Sequence, residues 1–186
     1  MTREELEHVI RAAADVAGDH LIVIGSQAIL AQYPDAPTEL LVSQEADMFP
    51  RADPDAAIKI DGAIGDGSHF HDSFGYYAHG VGPETATLPE GWQDRLVAVR
   101  VPEPPENETY VTGWCIEAHD LVLSKCAANR ERDWAYIEAT LVHELVEVQV
   151  LVSRVDALPI AQHERDRVTE TIEGIAARVA KRRMAG

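Results

Sequence analysis

The chain has 186 residues, 46% of them hydrophobic, and a formal net charge of −16. That is enough apolar material for a packed core, which excludes a disordered chain, and the charge repels nucleic acid at long range, which argues against a DNA-binding module. No apolar run reaches the roughly 18–20 residues of a membrane span. The N-terminus, MTREELEHVI, carries acids where a secretion signal would be basic and then apolar. The expectation is a cytoplasmic protein with no membrane partner. Cys115 and Cys126 are too few for a disulfide framework or a Cys-ligated zinc site. Their apolar surroundings suit reduced core residues.

Thr2 followed by Glu5 has the pattern of a capping box. Leu6, Val9, Ile10, Ala13, Ala14 and Ala17 then recur at helical spacing, and Gly18 stops the helix. HLIVIG reads as a buried strand, and SQAILAQY as a helix that Ser26 caps. PDAP is a turn. TELLVSQEADMFP carries the second strand, which Pro50 closes. DPDAAIKIDGAIG predicts a helix from Asp53-Pro54. Residues 66–92 are rich in Gly, His and aromatics without a clean period, which predicts long loops around short strands. RLVAVRVP and TYVTGWCI predict strands, with EPPENE as the turn between them. From Glu117 onward helices are predicted at about 117–129, 131–143, 145–157 and 160–183, with Pro159 breaking the last two. The basic end AKRRMAG puts cations where a helix C-terminus favours them. Trp92, Trp114 and Trp134 are expected as core or lobe-interface anchors. Mixed α/β first and all-helical second predicts an α+β chain. It would have a small mixed sheet with an N-terminal helix over 1–116 and a helical C-terminal lobe over 117–186.

The chemistry concentrates in two short stretches. On a strand, Glu45 and Asp47 project from one face and Ala46 from the other. Two ionised carboxylates so close repel each other, so they face water or share a cation. Mg²⁺, a hard ion taking one or two carboxylates plus phosphate oxygens, suits them. Gly25-Ser26 ends the preceding strand. Glycine admits a close neighbour, and a helix start favours an anion. A phosphate cradle beside a cation-binding acid pair is the minimum kit for phosphoryl or nucleotidyl transfer. Taken singly, the first feature reads equally as a helix cap and the second as a solvated strand edge.

VIGSQAIL and SQEADMFP together resemble the signature of the nucleotidyltransferase superfamily with the polymerase-β-like core: a strand ending in Gly-Ser, a helix, then a strand bearing acid-x-acid. EAHDLVLSKCAANRERDWAYIEATL and HDSFGYYAHGVGPETATLPEGWQDRLV are similar to the branch of small bacterial nucleotidyltransferase-like proteins related to abortive-infection toxins. The resemblance covers approximately residues 20–145. It implies a nucleotidyltransferase core followed by a helical lobe. Mg²⁺ or Mn²⁺ would be held by Glu45 and Asp47, and a nucleoside triphosphate by Gly25 and Ser26. NMP would pass to an acceptor that is an RNA end, a protein side chain or a small molecule.

If one helix runs through DLVLSKCAANRERD, then Lys125, Asn129 and Arg132 share a face with Asp133 beside it, and Leu123, Cys126 and Ala127 pack opposite. The resemblance implies that Lys125 and Arg132 neutralise the triphosphate and that Asp133 orients Arg132 or approaches the cation. Two features depart from the family pattern. Glu45 stands where Asp is commoner, and the strand RLVAVRVP offers Arg100 rather than a third carboxylate. Asp94, Asp61 and Asp66 do not fill that place, and Asp133 is the candidate substitute. These departures motivate the alternative of a catalytically degenerate fold serving as a nucleotide-binding or protein-interaction module. A third reading takes His69, His71, Asp72 and His79. On a strand, His69 and His71 would share a face fit for zinc. In a loop they would contact a nucleotide base or be structural.

Overall fold

The structure is a computed structural model that describes residues 1–102 and 109–185. The predicted EPPENE turn lies outside the described residues. Among these, five strands form one sheet in the order β3-β2-β1-β5-β4. The strands are β1 (Leu21–Ile24), β2 (Glu45–Pro50), β3 (Tyr77–Gly80), β4 (Val97–Pro102) and β5 (Tyr110–Cys115). β1 is central, antiparallel to β2 and parallel to β5. All four of its side chains are buried. That explains why it reads as a continuous apolar run rather than an alternation. Full burial of each such side chain contributes about 1.5–3 kcal/mol.

The predicted N-terminal helix is α1 (Arg3–Ala17), with its capping box formed. The Glu5 amide donates to Thr2 Oγ1 at 3.2 Å, and the Thr2 amide to Glu5 Oε2 at 2.7 Å. Its stripe of Leu6, Val9, Ile10, Ala13 and Ala14 is buried. Ile10 sits over Gly113 of β5, where a Cβ would stand 2.5 Å from Ile10 Cδ1. RLVAVRVP and TYVTGWCI form the antiparallel pair β4–β5, as expected. The tryptophans are half-buried rather than core residues. Trp114 lies under the Arg51 guanidinium, 4.9 Å from the ring centroid.

Three local expectations are corrected. SQAILAQY forms not an α-helix but a 3₁₀ turn at Ser26–Ala31. Gly25, at φ +73°, holds the cap position, and Ser26 is the turn's first residue. Gln27, Ala28, Ile29 and Leu30 are all buried, so the segment lacks the polar face of an amphipathic α-helix, and a tighter turn fits. Residues 69–74, read as loop, form helix α3 (His69–Phe74), capped by Ser68 and stopped by Gly75 at φ +76°. None of its side chains is fully buried, so no apolar period marked it. Before it, α2 (Ala57–Ile64) extends a 3₁₀ turn at Pro54–Ala56, close to the predicted start.

The third correction concerns the helical half. It comprises α4 (Ala118–Ala128), α5 (Trp134–Val142), α6 (Val148–Arg154) and α7 (Gln162–Ala185). Its first helix ends close to where the predicted 117–129 helix does, but the single helix through DLVLSKCAANRERD that would have put Lys125 and Arg132 on one face does not form. Asn129 adopts φ +51°, α4 ends at Ala128, and Arg132 lies on a separate 3₁₀ turn at Glu131–Asp133. Asn tolerates the left-handed region better than most residues, which is why the break falls there. The basic end places Arg182 and Arg183 in the last turn of α7, as expected. Arg183 donates to the Leu141 and Val142 carbonyls at 3.2 and 2.7 Å and pairs with Glu144, and Arg182 pairs with Glu138. Arg183 therefore also serves the C-terminus of α5.

By contact density the chain divides into two units. One is Met1–Thr85 with Arg95–Glu117, the other Ala86–Asp94 with Ala118–Gly186. Among the described residues no helix is long and apolar enough to cross a membrane.

Gly80 ties β3 to α2 by backbone contact. A Cβ there would stand 2.0 Å from the Ala57 carbonyl oxygen and 2.9 Å from the Asp61 nitrogen. Neither atom belongs to a side chain that can turn away. Gly80→Ala is expected to lower stability in urea denaturation by at least about 1–3 kcal/mol, the usual cost of overpacking. An unchanged midpoint would refute this packing.

Candidate functional site

β2 begins with strict alternation. Ala46 and Met48 are buried on one face, while Glu45 and Asp47 are partly exposed on the other. The acid pair therefore shares a face, as the period-two reading requires. Ser43 lies just before the strand. Its hydroxyl is bonded to the Glu45 backbone, accepting from the amide at 3.2 Å and donating to the carbonyl at 3.3 Å.

β3 runs parallel to β2, with Glu45 opposite Tyr77, Ala46 opposite Ala78 and Asp47 opposite His79. Both alanines are completely buried. Each polar residue of β3 thus comes up beside an acid of β2. Tyr77 donates its hydroxyl to Glu45 Oε2 at 3.1 Å. His79 Nδ1 lies 3.0 Å from Asp47 Oδ1, a distance at which an Nδ1–H donates to the carboxylate. The His71 ring packs on Tyr77 with centroids 4.6 Å apart.

On its other side Asp47 meets the end of β1. It pairs with Ile24, the residue before Gly25. A Cβ on Gly25 would stand 2.2 Å from Asp47 Oδ2 and 3.1 Å from its Cγ. The group that needs the glycine is thus the Asp47 carboxylate. The turn is tied down as well, since Gln27 Nε2 donates to the Ser43 carbonyl at 3.2 Å.

Glu45, Asp47 and His79 each offer one ligand atom, and these atoms all lie within 4.8 Å of one another. Two carboxylate oxygens and one imidazole nitrogen at such separations fit a divalent cation. The Gly25 contact supports that fit, because it seats the Asp47 carboxylate against backbone where any larger residue would displace it.

The zinc reading of His69 and His71 required a strand, but both lie on α3, whereas His79 lies on β3. His79 belongs with the acid pair, a grouping that sequence reasoning missed. The available signal was the matching pattern of Glu45-Ala46-Asp47 and Tyr77-Ala78-His79. In both, two polar side chains flank a small buried residue.

Gly25, Ser26, Glu45 and Asp47 belong to the first unit, and Lys125, Arg132 and Asp133 to the second. In the second unit Lys125 Nζ pairs with Asp133 Oδ1 at 2.8 Å and lies 4.5 Å from the Tyr136 ring centroid. Asp133 therefore holds Lys125, where the sequence reading had it orient Arg132 or approach the cation. Arg132 is exposed on its 3₁₀ turn. The cysteines are free and buried, as expected, and burial pushes the Cys115 and Cys126 thiols up to about 12.

Comparison with protein families decides the broad class. Residues 2–183 match the family described as "Nucleotidyltransferase of unknown function (DUF6036)". The chain belongs to that family. No curated protein and no solved structure matches it. Membership agrees with the Gly-Ser and acid-x-acid elements and with the α+β fold, and it gives a general role in nucleotidyl transfer.

Burial, followed by the hydrogen bond to Glu45 and the nearby carboxylates, pushes the Tyr77 phenol up to about 12 from 10. The native state therefore keeps this proton after the unfolded state has lost it. The resulting stability is complete below pH 10 and is lost as pH rises from 10 towards 12. In ultraviolet titration of the phenolates, Tyr77→Phe is expected to remove a component with a midpoint near 12. Loss of a component near 10 instead would contradict the Glu45 contact.

Proposed function

We propose that the chain transfers a nucleoside monophosphate from a nucleoside triphosphate to an acceptor hydroxyl, using a divalent cation held by Glu45 and Asp47. The observation that carries this reading is the acid pair on one face of β2 with Asp47 seated on Gly25. When bound, Mg²⁺ or Mn²⁺ supplies positive charge against the phosphate oxygens. The acceptor oxygen bonds to the α-phosphorus and gives up its hydroxyl proton to water, the bond from that phosphorus to the bridging oxygen breaks, and pyrophosphate leaves with the electron pair.

The residues of the first unit carry this reading. Tyr77 and His79 hold the two carboxylates in place by hydrogen bonds. Gly25 leaves room for Asp47, and Ser26 beside it supplies a hydroxyl for the phosphates. In the second unit Lys125 is engaged by Asp133 and Tyr136. The acceptor is an RNA end, a protein side chain or a small molecule.

A second reading has one observation in its favour. Among the described residues the group that joins Glu45 and Asp47 is the His79 imidazole and not a third carboxylate. On that reading the fold binds a nucleotide without transferring it.

Thermal unfolding with each nucleoside triphosphate, with and without Mg²⁺ or Mn²⁺, tests the binding step. A ligand at a hundred times its Kd adds about 2.7 kcal/mol, or roughly 5–10 °C for a chain of this size. A nucleotide-dependent rise is expected only when the cation is also present. Asp47→Ala should abolish it. Gly25→Ala, whose methyl would collide with the Asp47 carboxylate, should reduce it severely. Incubation of labelled nucleotides with cellular RNA, protein and metabolite fractions then separates the readings. Label in one fraction supports transfer and names the acceptor class. A nucleotide-dependent shift with no labelled product supports the binding module. No shift with any nucleotide sinks both.

A further inference from the structure

We propose that His79 is the third protein ligand of the cation at Glu45 and Asp47, and that it turns the site towards Mn²⁺ and related first-row ions and away from Mg²⁺. This rests on the proposed function for the presence of a cation. It adds which residue completes the ligand set and which class of ion that set selects.

The placement of His79 is held from several directions. The Ala46–Ala78 pair is completely buried, so slipping β3 by one residue would turn His79 into the core. Gly80, the next residue, is seated on the α2 backbone at Ala57 and Asp61, which fixes the end of β3. The imidazole is then left about half exposed, its side chain 48% accessible and directly opposite Asp47. A surface histidine with no task would be free to turn towards water. This one lies with Nδ1 3.0 Å from Asp47 Oδ1.

The distances suit one shared ion. Ligand atoms about 2.0–2.2 Å from a cation stand at most about 4.4 Å apart. The three donors here all lie within 4.8 Å of one another. Small side-chain rotations close that gap, with the His79–Asp47 hydrogen bond exchanged for coordination.

The chemistry then sets the preference. Mg²⁺ takes oxygen ligands in a near-ideal octahedron and gives up water reluctantly. An imidazole nitrogen is a softer donor, suited to first-row transition ions. Mn²⁺ accepts both carboxylate and imidazole, so two oxygens and one nitrogen favour it. The competing account is that His79 is a positioning residue, orienting Asp47 by a hydrogen bond and never touching the ion.

The test uses the full chain with Mn²⁺ or Mg²⁺ alone and no nucleotide. Mn²⁺ binding is followed by the paramagnetic resonance of the free ion, and Mg²⁺ by its competition. The intact protein is expected to bind Mn²⁺ at least about tenfold more tightly than Mg²⁺. His79→Ala should lose about tenfold or more of the Mn²⁺ affinity, the scale of effects around metal ligands, with Mg²⁺ affinity changed less than about twofold. His79→Asp, which restores an all-carboxylate set, should move the preference to Mg²⁺. Pulsed resonance should show imidazole nitrogen coupling to Mn²⁺ in the intact chain and none in His79→Ala. Because His79 is half exposed, its variants should stay folded without metal, His79→Asp melting lower as a third carboxylate joins the repelling pair.

If His79→Ala binds Mn²⁺ as the intact chain does, or the nitrogen coupling is missing, the inference is overturned. With Mn²⁺ binding still lost in Asp47→Ala, the proposed function survives that result. If the intact chain binds neither ion without nucleotide, the inference falls, and the nucleotide-dependent melting shift decides whether the proposed function falls with it.

Discussion

Like charges on one strand face set the constraint on which the site depends. Glu45 and Asp47 share a face because the strand period is two, and their repulsion must be offset by what surrounds them. The offset comes from the neighbouring strand and turn. Tyr77 donates to Glu45, His79 contacts Asp47, and Gly25 leaves room for the Asp47 carboxylate. Each contact requires one register of β3 on β2 and one of β1 on β2. Those registers are in turn set by buried residues: Ala46 and Ala78 between β2 and β3, and the four apolar side chains of β1. Packing on one face of the sheet thereby aims the polar groups on the other.

The second unit handles its charges differently. Asp120 is completely buried in the first turn of α4 and pairs with Arg154 Nη1 at 2.9 Å. Lys125 pairs with Asp133, and Arg182 and Arg183 pair with acids of or just after α5. Buried ions need partners close by, and these cations have found theirs inside the helical unit. Lys125 illustrates the consequence. Spacing along the chain suggests a cation for a triphosphate, and the structure shows it paired with Asp133.

Most of the fold was legible because its signals are local. The capping box of α1, the apolar run of β1, the alternation in β2 and the strands β4 and β5 all follow from side-chain period and terminus chemistry. Legibility failed where local pattern and tertiary demand part. The turn after Gly25 is buried all round, so it lacks the polar face that would have distinguished its geometry. α3 has no fully buried side chain, so it lacks an apolar stripe. The helix end near Asn129 was legible, whereas the continuous helix that would have set Lys125 and Arg132 on one face was not borne out.

The sequence by itself determined that Glu45 and Asp47 share a face, that a glycine precedes the turn after β1, and that a mixed sheet is followed by helices. These follow from periods of two and 3.6 and from the special torsions of glycine, all properties of neighbouring residues. Only the tertiary structure decided what the glycine accommodates, that His79 joins the acid pair, and that Lys125 faces Asp133. Each of those is a meeting of groups far apart along the chain, arranged by strand register and core packing, which no stretch of residues contains alone.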